Sequence, residues 1–76
     1  MDLLVVTGRK ILPIEIKLGA AVGPQDVNGL RQCMQDLGLR RGLVVSTSTE
    51  RRMLNPSIEI VPWAEVVAGR LDLAQR

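Results

Sequence analysis

Trp63 is the only aromatic side chain in this sequence, which has neither Phe nor Tyr. A core without rings must be filled by Leu, Val and Ile, and such residues favour strands packed on helices. The 76 residues leave room for one small domain. A chain of that size buries only about 60% of the surface its unfolded form exposes, so its core is marginal. Hydrophobic residues make up 46% of it, which sets it apart from disordered chains. Within these 76 residues a multidomain enzyme is not expected. Nor is a single-stranded nucleic-acid platform, which stacks bases on several exposed rings.

The catalytic vocabulary is equally thin. There is no His and a single cysteine, Cys33. Those counts remove the usual zinc sites, histidine-based triads and any disulfide within the chain. A lone thiol fits a reducing compartment. No apolar run approaches the roughly 18 residues of a membrane span. The four apolar residues after Met1-Asp2 are too few for a signal peptide's central region. Ten basic and eight acidic side chains give a net charge of +2, which selects no partner. The expectation is a soluble cytoplasmic protein without a membrane partner.

Leu3-Leu4-Val5-Val6 reads as a short strand, broken by the four-residue loop Thr7-Gly8-Arg9-Lys10. From Leu12 onward the chain alternates. Leu12, Ile14, Ile16 and Leu18 point to one face, and Pro13, Glu15 and Lys17 to the other. The two strands form a hairpin, with Pro13 near an edge, a bulge or a non-bonded position. Pro24 opens a helix whose apolar positions are Val27, Leu30, Cys33, Met34 and Leu37, with Gly38 as its stop. Gly29 within it costs up to about 1 kcal/mol relative to Ala, and a close approach to the sheet would explain it. Leu43-Val44-Val45-Ser46 is a third strand, buried on both faces. Residues 46–56 read as a polar loop, and Ser57 to Val61 as a short fourth strand at an edge. Pro62 opens a short helix from Trp63 to Ala68, ended by Gly69, and the last seven residues fray or extend it. The fold class is α/β, a small mixed sheet in the order β-β-α-β-β-α. A right-handed crossover makes the second and third strands parallel.

The polar face of the hairpin is the candidate for chemistry. With Val6 opposite Ile11, counting back pairs Val5 with Leu12, Leu4 with Pro13, Leu3 with Ile14 and Asp2 with Glu15. Opposed residues have Cβ atoms about 4.5–5.5 Å apart, where like charges repel. A divalent cation reverses that sign, and two carboxylates at this spacing are hard ligands for Mg²⁺ or Mn²⁺. Lys17 follows on the same face, about 6.5–7 Å along the strand. There it would hold a phosphate oxygen or stabilise developing negative charge. Two acids and a lysine suffice for metal-assisted phosphodiester hydrolysis. A one-residue slip in register separates Asp2 from Glu15. Spacing alone favours the plainer reading, Glu15 and Lys17 on a solvated strand face.

Asp2-Leu3-Leu4-Val5-Val6, Gly8 and Leu12-Pro13-Ile14-Glu15-Ile16-Lys17 resemble the PD-(D/E)xK nuclease superfamily, with its acid, short hairpin and Glu-x-Lys. More closely, the chain looks like the C-terminal module, a domain of unknown function, of a family of prokaryotic AAA+ ATPases. Gly29-Leu30, Gly42-Leu43-Val44-Val45 and Pro62-Trp63 extend that likeness from Asp2 to about Trp63. The resemblance implies a restriction-endonuclease-like core. Asp2, Glu15 and the backbone carbonyl of Ile16 would ligate Mg²⁺ or Mn²⁺, and Lys17 would position water or stabilise the transition state. Such cores place a helix and a strand ahead of the acid-bearing hairpin. The chain therefore reads as residues 1–76 of a single, truncated domain, the C-terminal fragment of a larger ATPase-associated protein. It carries no P-loop.

Arg9-Lys10, Arg40-Arg41 and Arg51-Arg52 are basic pairs. They read as solvated loop charges, or as a DNA-contacting surface if the fold gathers them on the side of the acids. Cys33 and Met34 read as core, and Trp63 as a cap over it. An open strand edge, the first or the short fourth, is expected to pair with a second copy in a homodimer. Two classes of function stay open: a nuclease-like metal-binding domain, active or degenerate, and a non-catalytic module that docks or dimerises an ATPase.

Overall fold

The computed structural model describes residues 3–19 and 21–69. The elements, in chain order, are β1 (Leu3–Thr7), β2 (Lys10–Lys17), a 3-10 turn (Pro24–Val27), α1 (Asn28–Leu37), β3 (Gly42–Ser46), β4 (Arg52–Asn55), β5 (Ile58–Pro62) and α2 (Trp63–Val67). The strands make one mixed sheet in the order β1-β2-β3-β5-β4. Its centre, β2, β3 and β5, is parallel, and an antiparallel hairpin partner flanks it on each side.

The first hairpin has the expected register, Leu3 opposite Ile14 through Val6 opposite Ile11, and it extends to Thr7 opposite Lys10. The connection is thus two residues, Gly8 and Arg9, not a loop of four. Gly8 has φ +60° and Arg9 has negative φ. That is the II′ pattern, whose twist suits a hairpin and whose first position requires Gly. The helix runs as expected to Gly38, and the Leu39 N–H closes its end on the Met34 carbonyl at 2.8 Å.

Two expectations are corrected at the far side of the sheet. Residues 46–56 are not all loop, because Arg52–Asn55 forms β4 against β5. The strand at Ile58–Pro62 is therefore interior, between β3 and β4, and among the described residues β1 and β4 are the outer strands. The order is β-β-α-β-β-β-α, with one more strand than the sequence reading allowed. The Asn55 side chain builds the extra turn, its Oδ1 accepting from the Ser57 and Ile58 N–H groups at 2.8 and 2.9 Å.

Both faces of the sheet are covered. On one, Val27, Leu30 and Met34 pack on Val44, Ile58 and Ile60, with Val22 beside them. On the other, Leu12, Ile14, Leu43, Val45 and Val61 form a second cluster, against which Val5 and Val66 pack. β3 is buried along its whole length, as expected. Gly42 makes the close approach of helix to sheet. A Cβ there would lie 2.7 Å from Met34 Sδ and 3.2 Å from a Leu30 methyl. Gly29, assigned that role from the sequence, is exposed. Cys33 is only half-buried. Leu37 is 49% exposed and Trp63 53%, so neither closes the core.

Candidate functional site

Glu15 lies in β2, between β1 and β3, directly beside Val44. Val44 belongs to the cluster under α1, so Glu15 and Lys17 share that face. Glu15 is 7% exposed. This corrects the solvated-face reading, since a polar side chain on a doubly covered sheet faces a helix rather than water. Lys17 is half-buried at the end of β2, beside Ser46 of β3. Ile16 points to the opposite face and its side chain is 42% exposed. Asp2, the third expected site residue, lies outside the described residues. Among the described residues, no group of three or more Cys, Asp or Glu side chains stands together as a metal cage.

Two hollows flank Lys17. One, of about 200 Å³, is lined by Lys17, Leu18, Gly19, Ala21, Val22 and Asp26. Asp26 is a carboxylate the sequence reading passed over. Its Oδ2 accepts the Gly23 N–H at 2.8 Å at the start of the 3-10 turn. Pro24-Gln25-Asp26 at a helix start was the available signal, since an acid in the first turn satisfies free N–H groups there. The second hollow, about 180 Å³, is an apolar notch on the other side, lined by Ile16, Lys17, Leu18, Val45, Thr47 and Trp63. Ser46 also lines it and is 1% exposed. Its Oγ lies 2.8 Å from Ser48 Oγ and accepts the Ser48 N–H at 3.2 Å, which fixes the turn leaving β3. A third hollow, of about 370 Å³, lies between α1 and the β4–β5 turn and shares no lining residue with Glu15 or Lys17.

The basic pairs do not gather beside Glu15 and Lys17. Arg9-Lys10 and Arg40-Arg41 are exposed where β2 and β3 begin, at the opposite end of these parallel strands from Lys17. Arg51 and Arg52 are used within the fold. Arg51 pairs with Glu65 at the surface, and Arg52 Nη2 donates to the Val22 carbonyl at 2.7 Å. Arg9-Lys10 and Arg40-Arg41 thus match the solvated reading, while Arg51 and Arg52, one of them in a strand and both paired within the fold, do not.

The fold defines a small mixed α/β domain, with an acid and a lysine two residues apart near the end of its second strand. Residues 1–66 match a family described as a domain of unknown function, DUF4143, and the chain belongs to that family. No curated protein and no solved structure matches it. Among the described residues, no helix is long and apolar enough to cross a membrane.

Proposed function

We propose that this domain is a nuclease-like, metal-binding module in which Asp2, Glu15, the Ile16 carbonyl and Lys17 form one site. The observation that carries the reading is Glu15: a carboxylate 7% exposed within a strand, two residues before a lysine on the same face. Low-dielectric surroundings strengthen a carboxylate's attraction for a cation. The reading needs the β1–β2 ladder to run one pair beyond Leu3 and Ile14, bringing Asp2 opposite Glu15. Mg²⁺ is commonly held by one or two carboxylates and completed by waters and substrate phosphate, so a third protein carboxylate is not required. The ion would polarise a phosphoryl oxygen and lower the pKa of bound water. Lys17 would hold a phosphate oxygen or meet developing charge on it. The resemblance to the C-terminal module of AAA+ ATPases supports a place in a larger cytoplasmic assembly that meets DNA. The alternative, a non-catalytic docking module, is favoured by the exposed apolar residues of β1, Leu4 and Val6.

Calorimetric titration with Mn²⁺ tests the site. Asp2→Asn and Glu15→Gln are each expected to weaken binding about tenfold or more, by analogy with lesser changes around metal centres. Lys17→Met should leave Mn²⁺ affinity intact while lowering any Mg²⁺-dependent DNA cleavage. If the wild-type chain binds Mn²⁺ no better than the two acid variants, the reading fails and the docking module stands.

A further inference from the structure

The net charge of +2 conceals an uneven distribution. β2, β3 and β5 run parallel, so the sheet has one end where all three begin and another where all three finish. Of the described acids, Glu15 lies near the finish of β2, and Asp26, Glu50 and Glu65 lie in the segments that follow β2, β3 and β5. The end where the strands begin holds Arg9, Lys10, Arg31, Arg40 and Arg41. The acids toward it are Asp36, which accepts from Gln32 at 2.8 Å, and the half-buried Glu59. One end is therefore basic and the other acidic.

The basic residues are contiguous. Arg9 and Lys10 turn the β1–β2 hairpin, and Arg40 and Arg41 lead into β3. Counting back from Ile14 beside Leu43 brings Arg41 level with Leu12, one strand spacing of about 4.8 Å away. The Gly42 N–H donates to the Ser57 carbonyl at 2.9 Å, which sets Arg41 next to the β4–β5 turn. Against that turn lies the hollow of about 370 Å³, whose polar lining is Arg31, Gln35, Asn55 and Ser57, beside buried Met34 and Ile58. No acid lines it. Asn55 Oδ1 is taken by the Ser57 and Ile58 N–H groups, so its amide nitrogen is the group left to donate. All five cations are exposed, and none forms an ion pair among the described residues. From the first turn to the last the tract crosses three strand spacings, about 14–15 Å.

We infer that this end of the sheet docks the phosphate backbone of duplex DNA, with Arg9, Lys10, Arg40 and Arg41 along the backbone and a phosphate seated at Arg31 in the hollow. Charge complementarity selects a polyanion, and arginine and amide donors suit phosphate oxygens. A duplex carries one charge per about 1.7 Å of its axis, so a tract of this length meets several phosphates. Trp63, the sole ring, follows β5 at the other end. The tract therefore has nothing on which to stack unpaired bases and no aromatic anchor for a bilayer surface. Contacts to phosphate alone hold a duplex without reading its sequence. Because this end lies opposite Glu15 and Lys17, DNA docked here is held, not cut. The choice of DNA rests on the nuclease-like reading above, while the docking itself uses no metal.

The test is fluorescence anisotropy of a short labelled DNA duplex with the 76-residue chain, in chelator, from about 50 to about 200 mM salt. Four or five phosphate contacts give a slope of log K against log salt of about −4, a loss of roughly 10²-fold over that range. Arg31→Gln and Arg41→Gln should each weaken binding and make the slope shallower by about 1. Arg51→Gln makes the same change in net charge at the other end and should leave the slope unchanged. Circular dichroism checks that each variant keeps the native spectrum. A wild type that does not bind at the lowest salt overturns the inference, and so does an equal loss from Arg51→Gln. Tighter binding to phosphatidylserine vesicles, or to an RNA duplex of the same length, overturns it as well by naming another partner. With chelator present, failure of the metal reading in the Mn²⁺ titration leaves each of these outcomes unchanged.

Discussion

At the scale of single residues, Gly42 limits how the helix sits on the sheet. Any side chain there meets Met34 Sδ and the Leu30 methyls at 2.7–3.3 Å. The methionine can swing away, while the two leucine methyls, in the same cluster as Val44 and Ile60, have less room. Gly42→Ala is expected to cost about 1–3 kcal/mol by overpacking, read from a lower urea midpoint. Met34→Ala in the same chain should recover part of that loss, since removing the thioether removes the nearest contact. Glu15 shows how far single residues were legible. Its identity and its spacing to Lys17 were plain in Glu-Ile-Lys, yet its burial was not. Alternation tells which face a residue takes and does not tell whether that face is wet.

At the scale of elements, β2 explains that miss. Leu12 to Glu15 are buried without regard to parity, while Lys10, Ile11 and Ile16 are exposed. Position along the strand, under the helices or beyond them, decides exposure once both faces are covered. β4 was missed for a different reason. Arg51-Arg52 reads as loop, and the burial that would mark a strand is slight at this edge, where Arg52 and Met53 are exposed. Asn55-Pro56-Ser57 was the overlooked turn signal, flanked by Met53-Leu54 and Ile58. The β1–β2 hairpin was legible because a Gly-containing break between two apolar runs has few solutions, and its register survived a mistaken loop length. Its turn gives a further prediction. Gly8→Ala forces a left-handed conformation on a residue with a Cβ, at a site with no crowding at all. The expected loss is about 1–2 kcal/mol, visible as a lower melting temperature.

At the scale of the whole molecule, stability rests on two thin aliphatic layers sharing one sheet. Domains below about 70–80 residues rarely gain more than about 3–5 kcal/mol from one core. Ile60 is fully buried in the layer under α1. Ile60→Ala, at about 2–5 kcal/mol, should therefore leave much of the protein unfolded at room temperature, as circular dichroism would report. The α/β class was legible because an aliphatic sequence with both periodicities has few other ways to fold. The position of each strand in the sheet was not, since pairing order depends on contacts between residues far apart in sequence.

The indole at the open end of the sheet has an optical consequence. Trp63 is the protein's only aromatic ring, and it stands half-exposed beside the apolar notch formed by Ile16, Leu18 and Val45. Near-ultraviolet absorbance and intrinsic fluorescence therefore come from one place. The emission will be that of a partly hydrated ring in the native state and will redden only modestly on unfolding. A molecule or neighbouring chain that fills the notch should shift it to the blue while the interior, without a chromophore, stays dark.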